Sequence, residues 1–192
     1  MARTPVDEDT LARLDAQGGT AAADGYLELA TDPQPGDVAN PAELRVQAGL
    51  LLQDAGEHER ALEVFREAAA TGAPVYPDVR AYLIDGLLHA SRADEAADVA
   101  RAIRADRPSD PYVHLTVGAS FEQGNDLTTA LRWYTIGLNK MLDEPLTNED
   151  EVLHRVMHLL AANRYTLRRK LDLPIDGLDL VSTELDESHD HD

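Results

Sequence analysis

Between residues 42 and 142, small and apolar residues recur at an interval of about 34 positions. Three alanines mark the interval, because Ala61, Ala96 and Ala130 are 35 and 34 residues apart. A chain with this spacing is built from repeated units, each of which packs against its neighbours. With the alanines in register, four further sets of small or apolar residues align: Gly49, Ile84 and Gly118; Leu52, Leu87 and Phe121; Phe65, Ala100 and Tyr134; and Ala68, Ile103 and Gly137.

The order of small and large residues within a unit predicts a pair of helices. Two helices of about a dozen residues can touch only where small side chains lie at the crossing of their axes. Gly49 and Gly118 on first helices, and the three alanines on second helices, meet that requirement. Larger residues such as Phe65 and Tyr134 would fill the space towards the next pair. The apolar composition, with only 5% aromatic residues, agrees with an all-α fold.

Each unit carries further signature residues around its alanine. They are Ala48, Gly49, Leu52, Ala61, Phe65 and Pro74 in the first unit, Leu83, Leu87, Ala96 and Pro108 in the second, and Val117, Gly118, Phe121, Ala130 and Tyr134 in the third, with Pro145 beyond. This set resembles the tetratricopeptide repeat, although Arg45, Arg80 and His114 stand in place of its opening tryptophan. The resemblance implies a right-handed α-solenoid of antiparallel helix pairs, with repeats at about 42–75, 77–110 and 111–144.

The resemblance also implies a place for a partner. In tetratricopeptide proteins, the first helix of each pair lines a concave groove that receives an extended or helical peptide. The groove predicted here is apolar along its middle and acidic at its edges, which favours a protein or peptide with apolar anchors and basic flanks. By position, the predicted partner-binding residues are Glu43, Val46, Leu50, Gln53, Asp54, Asp78, Ala81, Asp85, Leu88, His89, Tyr112, Leu115, Ala119, Glu122 and Gln123.

Some members of this family bind a C-terminal carboxylate through a clamp of Lys, Arg and Asn side chains in the groove. The corresponding positions here hold no cation, so binding of the chaperone carboxyl-terminal motif is not expected. Those positions are occupied by Val46, Leu50, Tyr82, Tyr112 and Thr116.

Charge and composition limit the classes of function. Among 192 residues, 36 acids against 17 bases give a net charge of −19. This charge would repel nucleic acid and an anionic membrane, although solubility alone would also account for it. The chain has no cysteine, which excludes disulfides, thiol catalysis and Cys-based zinc sites.

Two absences in the sequence bear on location and activity. Residues 1–9 lack the apolar segment of a signal peptide, and no run of 18 apolar residues occurs, so a soluble, cytoplasmic protein is predicted. No G-x-S-x-G, phosphate loop or dinucleotide fingerprint is present, so neither an enzyme nor a cofactor is predicted.

Local signals organise the chain around the repeats. Asn40 and Asp110 each combine a capping side chain with a following proline, which predicts helix starts. Thr20 is predicted to cap an N-terminal helix, and Asn148 a C-terminal one. The C-terminal helix is predicted to close the stack with an apolar side formed by Val152, Val156, Leu159 and Leu160. End helices of this kind would complete the array. The predicted segments are a degenerate helix pair at 1–32 with loose residues 1–6, a Pro-rich linker at 33–41, three repeats at 42–145, a capping helix at 148–171, and an acidic tail at 172–192 whose first part, to residue 180, is expected to fold back.

Two groups near the C-terminus keep other functions open. Glu151, His154 and His158 share one helix face, and such a face can chelate zinc or nickel. The H-E-x-x-H order of metalloproteases is absent, so no metal site is predicted, and metal binding there or by the tail at 189–192 is only an alternative. The basic cluster at 164–170 could attract nucleic acid, pair with the acidic tail or pair with an acidic partner, and the net charge disfavours nucleic acid.

Together, these features predict a non-enzymatic interaction adaptor or chaperone-like scaffold. It would bind a peptide or partner helix in an acidic-edged groove, without a nucleic-acid or membrane partner. Two alternatives stay open: a self-assembling structural protein, which would form homo-oligomers through the ends of its stack, and a metal-binding or metal-sensing protein that uses the helical His pair.

Overall fold

The computed structural model describes residues 3–143 and 150–180. In these residues it contains nine helices of ten or more residues and no strand, so the all-α class is confirmed. The helices are α1 (Glu8–Gln17), α2 (Gly19–Thr31), α3 (Pro41–Asp54), α4 (His58–Ala70), α5 (Val79–His89), α6 (Ala93–Asp106), α7 (Pro111–Gln123), α8 (Leu127–Asp143) and α9 (Glu151–Lys170).

The turns inside the three repeats have one geometry. In each turn, a backbone N–H beyond the first helix donates to the carbonyl five residues earlier, which is the closing bond of a Schellman motif. The residue before each donor has a positive φ: 79° at Gly56, 59° at Ser91 and 61° at Asn125. The accepting carbonyls belong to the aligned residues Leu52, Leu87 and Phe121, so the structure confirms the repeat register. The donor–acceptor pairs are Glu57 and Leu52 at 2.8 Å, Arg92 and Leu87 at 2.8 Å, and Asp126 and Phe121 at 2.9 Å.

The first helix of each repeat begins at a capping side chain. The Asn40 side chain accepts hydrogen bonds from the backbone of Ala42 and Glu43, and the Asn40 backbone N–H donates to the Glu43 carboxylate, which completes a capping box. Asp78 caps α5 and Asp110 caps α7, each by accepting one backbone hydrogen bond, from Arg80 and from Tyr112. The prediction of helix starts after Asn40 and Asp110 is therefore confirmed.

Two other capping predictions have different outcomes. Thr20 is not a cap, since α2 begins at Gly19 with Gly18 in the capping position. Both glycines have a φ of 63°, which lets the chain turn directly from α1 into α2 without a capping side chain. Asn148 lies outside the described residues, and α9 begins at Glu151 after Asp150.

Small residues lie where the paired helices approach most closely. A Cβ built on Gly49 would lie 2.4 Å from the Phe65 ring, and one on Gly118 would lie 2.4 Å from the Tyr134 ring. The three aligned alanines are fully buried. The predicted crossing of helices at these residues is thus confirmed, because any side chain at either glycine would overlap an aromatic ring.

The chain divides into two compact units, residues 1–103 and 104–192. The core of the first unit runs from α2 through α3 to α4. Its largest members are Tyr26, Leu44, Leu52 and Phe65, which are almost completely buried. The second unit packs α7, α8 and α9 together, with Trp133, Tyr134 and Leu160 among its buried side chains.

The segment before α1 is anchored to the rest of the first unit. The prediction that residues 1–6 are loose is therefore wrong for residues 3–6, the part of this segment that the structure describes. Asp37 pairs with Arg3 at 2.6 Å and accepts a hydrogen bond from the Val6 amide at 2.7 Å. Val6 is buried, and its carbonyl accepts a hydrogen bond from Val38. The 33–41 segment therefore holds residues 3–6 in place through the Asp37 carboxylate. The hydrogen bond from Arg3 lowers the pKa of Asp37.

The C-terminal helix α9 buries a different face from the predicted one. Val156 and Leu160 are buried as expected, but Val152 and Leu159 are exposed at 58% and 43%. The helical period continues the buried stripe from Leu160 to Arg164 and Leu167, which turns the other two residues outwards. A charged side chain thus occupies a buried position on α9.

That arginine holds the segment after α9 against the helix. Arg164 forms ion pairs with Asp176 and Asp179, and its Nε donates to the Thr135 hydroxyl at 3.2 Å. Arg168 pairs with the same two carboxylates, at 3.1 Å to Asp176 and 3.0 Å to Asp179. Residues 171–180 consequently fold back, as the sequence predicted, and they do so through these charges.

Candidate functional site

Three predicted partner-binding residues of the first unit form a polar cluster on α3 and α5. The Gln53 amide nitrogen donates to an Asp85 carboxylate oxygen at 2.6 Å and lies 3.2 Å from Nδ1 of His89. Nδ1 of His89 also lies 3.0 Å from the Asp85 backbone oxygen. The ring of His58, from α4, lies 5.3 Å from the His89 ring. Positions 32 and 36 residues apart thus meet, because α3 and α5 are neighbouring first helices.

Two predicted partner-binding residues have no accessible surface to offer. Val46 is 2% exposed and packs with Ala42 and Ala68 in a small core cluster, and Ala81 is fully buried. Their positions face the neighbouring helices, where close packing excludes a partner. Leu50 and Leu88 are only partly buried, and Asp54 is exposed. The accessible part of this surface is therefore narrower than predicted.

Two acidic residues of the predicted edge, Glu43 and Asp78, already have partners within the chain. Glu43 accepts the Asn40 amide hydrogen bond of the capping box at 2.7 Å. Asp78 caps α5 and forms an ion pair with Arg80 at 2.6 Å. These contacts occupy acceptor positions of both carboxylates that a partner could otherwise use.

In the second unit, Glu122 joins three helices. One of its carboxylate oxygens accepts a hydrogen bond from the Tyr134 hydroxyl at 3.0 Å, and the other pairs with Lys170 at 3.1 Å. Burial raises the pKa of Tyr134, and the charge of Glu122 adds to that effect. Glu122 therefore ties α7 to α8 and α9. The other predicted residues of α7 are Tyr112, Leu115 and Ala119, which are partly buried, and Gln123, which is exposed.

His114 should make the second unit sensitive to acid. It is 3% exposed, its ring lies 5.5 Å from that of Trp133, and burial lowers its pKa below 6.5. His114 therefore binds a proton more readily in the unfolded chain than in the folded one. The stability that the buried neutral ring contributes is full above pH 6.5 and is lost as the pH falls below it. We expect urea unfolding to show a smaller loss of stability from pH 7.5 to pH 5 in His114→Phe than in the wild type. An equal loss of stability in both proteins would show that His114 is not the source of the acid sensitivity.

The alternative sites near the C-terminus gain no support. No group of three or more metal-binding side chains that could hold an ion occurs within 3–143 and 150–180. On α9, Nδ1 of His154 lies 3.0 Å from the backbone oxygen of Asp150, a local helix contact. Two cations of the basic cluster, Arg164 and Arg168, are paired with Asp176 and Asp179. The tail at 189–192 lies outside the described residues.

A cavity in the first unit was not predicted from the sequence. It has a volume of about 400 Å³ and lies between α1 on one side and α3, the loop at 75–76 and Tyr82 on the other. The α1 wall consists of Glu8, Leu11, Ala12 and Asp15, whose spacing of three, one and three residues defines one helix face. That spacing is visible in the sequence, but only the fold shows that the face stays open.

The fold is that of a repeat protein built from helix pairs. The family model described as tetratricopeptide repeat matches residues 52–118, and this match supports assigning the repeat region to that family. No curated protein and no solved structure matches the chain significantly. Tetratricopeptide repeats generally mediate protein–protein interactions by binding proteins or peptides, and proteins of the family are typically non-enzymatic scaffolds. No helix in the described residues is long and apolar enough to span a membrane.

Proposed function

We propose that this chain is a non-catalytic, cytoplasmic adaptor that binds a peptide or a partner helix on the surface of its first helices. The observation that carries the proposal is the surface of α3 and α5. There, the partly buried side chains of Leu50 and Leu88 lie on the same two helices as the Gln53–Asp85–His89 cluster. Apolar anchors beside fixed polar groups are the usual elements of a peptide-binding surface.

The charges of the protein favour a partner with basic residues. Asp54 is exposed at the end of α3, and Asp85 is partly exposed in the polar cluster. The chain has a net charge of −19, which would accelerate association with a basic partner and slow association with an acidic one. We therefore propose a peptide with apolar anchors and basic flanks, and no chaperone-type carboxylate motif.

Charge insertion at the leucines tests the proposal. Heptapeptides selected by display on the wild-type protein should bind Leu50→Arg at least about tenfold more weakly, since an interface anchor contributes roughly 1–2 kcal/mol or more. Leu115→Arg tests α7 of the second unit separately. Fluorescence anisotropy gives the affinities, and circular dichroism establishes that each variant is folded.

Leu142→Arg is the matched control, because Leu142 is exposed on α8, a second helix. It introduces the same charge and should leave peptide affinity unchanged. If both first-helix variants bind every selected peptide as the control does, the surface of the first helices is not the binding site.

A further inference from the structure

The cavity beside α1 has a marked chemical character. Its lining includes three carboxylates, Glu8, Asp15 and Glu43, and contains no Arg, Lys or His. Within the described residues, neither Glu8 nor Asp15 forms an ion pair. A cavity with three negative charges and no internal cation is complementary to a positively charged occupant.

The cavity also presents aromatic surface. Tyr26, Tyr76 and Tyr82 contribute to its lining, and Tyr76 is 64% exposed. The Tyr82 hydroxyl donates to the Tyr76 backbone oxygen at 3.2 Å, which ties the 75–76 loop to α5. The face of a tyrosine ring attracts a cation, and a planar guanidinium can in addition stack on it.

One carboxylate of the cavity is held in a fixed orientation. The Tyr26 hydroxyl donates to one oxygen of Asp15 at 2.5 Å, and the buried position of Tyr26 fixes that hydroxyl. Asp15 is otherwise exposed on α1 and able to accept further hydrogen bonds. An acceptor already positioned by its neighbour loses little freedom when a second donor binds it.

From these three observations we propose that the cavity binds an arginine side chain of the partner peptide. Asp15 accepts the guanidinium hydrogen bonds, the exposed Tyr76 ring and the partly buried Tyr82 ring pack on its planar face, and Leu11 covers its apolar stem. The inference rests on the proposed function, since it names the anchor residue that this surface recognises. It also gives the N-terminal helix pair a binding role beyond covering the end of the repeats.

Arginine fits the cavity better than lysine or an apolar residue. Lysine offers one compact, strongly hydrated charge, whereas the guanidinium is weakly hydrated, planar and able to stack on tyrosine. An apolar residue would remove water from the three carboxylates without replacing their hydrogen bonds. Arginine is thus the side chain that satisfies both the aromatic and the acidic parts of the lining.

The test uses the full chain and four synthetic heptapeptide mixtures. The central residue is Arg, Lys, citrulline or norleucine, and the other six positions are random. Citrulline has the shape of arginine but no charge, so we expect about tenfold or greater retention of the Arg mixture over the citrulline mixture. The Lys mixture should fall between them. Affinity capture followed by mass spectrometry measures retention.

Two variants and one control test whether the preference for arginine arises in the cavity. Asp15→Asn keeps the acceptor for Tyr26 and removes the charge, and should lower the advantage of Arg over citrulline by about three- to tenfold. Asp9→Asn is the matched control, since Asp9 is exposed on the same helix and outside the cavity lining. It should leave the advantage unchanged. Ala12→Trp, which fills the cavity from an exposed position on α1, should reduce retention of the Arg mixture.

The outcomes separate the two proposals. If all four mixtures are retained equally and Leu50→Arg abolishes retention, the binding surface stands and the arginine anchor is wrong. If Asp15→Asn and Asp9→Asn behave alike, the cavity is not the recognition site. If no mixture is retained, the adaptor function and the anchor are both overturned.

Discussion

Replacement of Arg164 by methionine should destabilise the second unit by about 3–5 kcal/mol, as expected when a buried ion pair loses one partner. The Arg164 side chain is 3% exposed, and Asp179, its main partner, is 2% exposed. Methionine fills a similar volume but takes the Arg164 charge away from the poorly hydrated Asp179 carboxylate, which still pairs with Arg168. Asp176 matters less, because it is 40% exposed and water screens its charge.

The loss should begin locally. Asp176 and Asp179 supply the carboxylates that hold 171–180 against Arg164 and Arg168, so the variant should release this segment first. Hydrogen exchange would then increase in 171–180 and in the last turns of α9 before the rest of the unit. The wild type should show a milder form of the same release in acid. The hydrogen bond from Arg164 lowers the pKa of Asp176. The stability that Asp176 contributes is therefore full above pH 4 and declines below it.

Arg169→Met is the control for this prediction, since Arg169 lies on the same helix, is exposed and forms none of the ion pairs with Asp176 or Asp179. Its free energy of unfolding should change by no more than about 0.5 kcal/mol. The double variant Arg164→Met/Asp179→Leu should recover much of the loss, because it also removes the buried Asp179 carboxylate. Equal urea midpoints for Arg164→Met and Arg169→Met would show that the ion pairs contribute nothing.

The C-terminal region shows where sequence reasoning loses accuracy. Pairing of the basic cluster with the acidic tail was one of the alternatives left open by the sequence, but nothing in the sequence indicated that Arg164 would be buried. Burial depends on which face of α9 meets α8, and a helix with apolar residues on two sides leaves that choice to tertiary packing. Val152 and Leu159 were assigned to the wrong face for this reason.

The repeats could be predicted far more completely. A 34-residue period fixes which residues are equivalent, and equivalent residues occupy equivalent turns, as the bonds accepted by Leu52, Leu87 and Phe121 show. The second repeat keeps the pattern with the sizes exchanged. It has Ile84 where the others have glycine and Ala100 where they have an aromatic residue, and both are buried. The combined side-chain volume at these two positions is therefore similar in all three repeats, although the second repeat differs from the others at each position.

The candidate site was predictable only in part. Position in the repeat identified Gln53, Asp85 and His89 as members of one surface, and the structure brings them together. The same reasoning could not tell that Val46 and Ala81 are covered by neighbouring helices, because the width of the accessible stripe depends on how closely those helices pack. Nor could it show the cavity beside α1, since no repeat signature covers residues 8–15.

Gly49→Ala should destabilise the first unit by about 2–3 kcal/mol, although alanine is the better helix former by about 1 kcal/mol. The added Cβ would lie 2.4 Å from Cε1 and 2.7 Å from Cζ of Phe65. That ring is fully buried and cannot move away, because Gly86 of α5 approaches it from another side, where a Cβ would be 2.7 Å from Cδ2. The ring is thus confined between two helix backbones, and α3 must shift to relieve the overlap.

A double variant distinguishes this overlap from a general effect of the substitution. Phe65→Leu removes the ring atoms that the new Cβ would meet, at a cost of its own from lost packing. If the overlap is the cause, Gly49→Ala/Phe65→Leu should be more stable than the sum of the single changes implies, by about 1–2 kcal/mol of coupling energy in urea unfolding. Gln47→Ala, an exposed position on the same helix, should change stability by less than about 0.5 kcal/mol. Additive single changes would mean that α3 moves freely, and that glycine at this position is not required by the Phe65 ring.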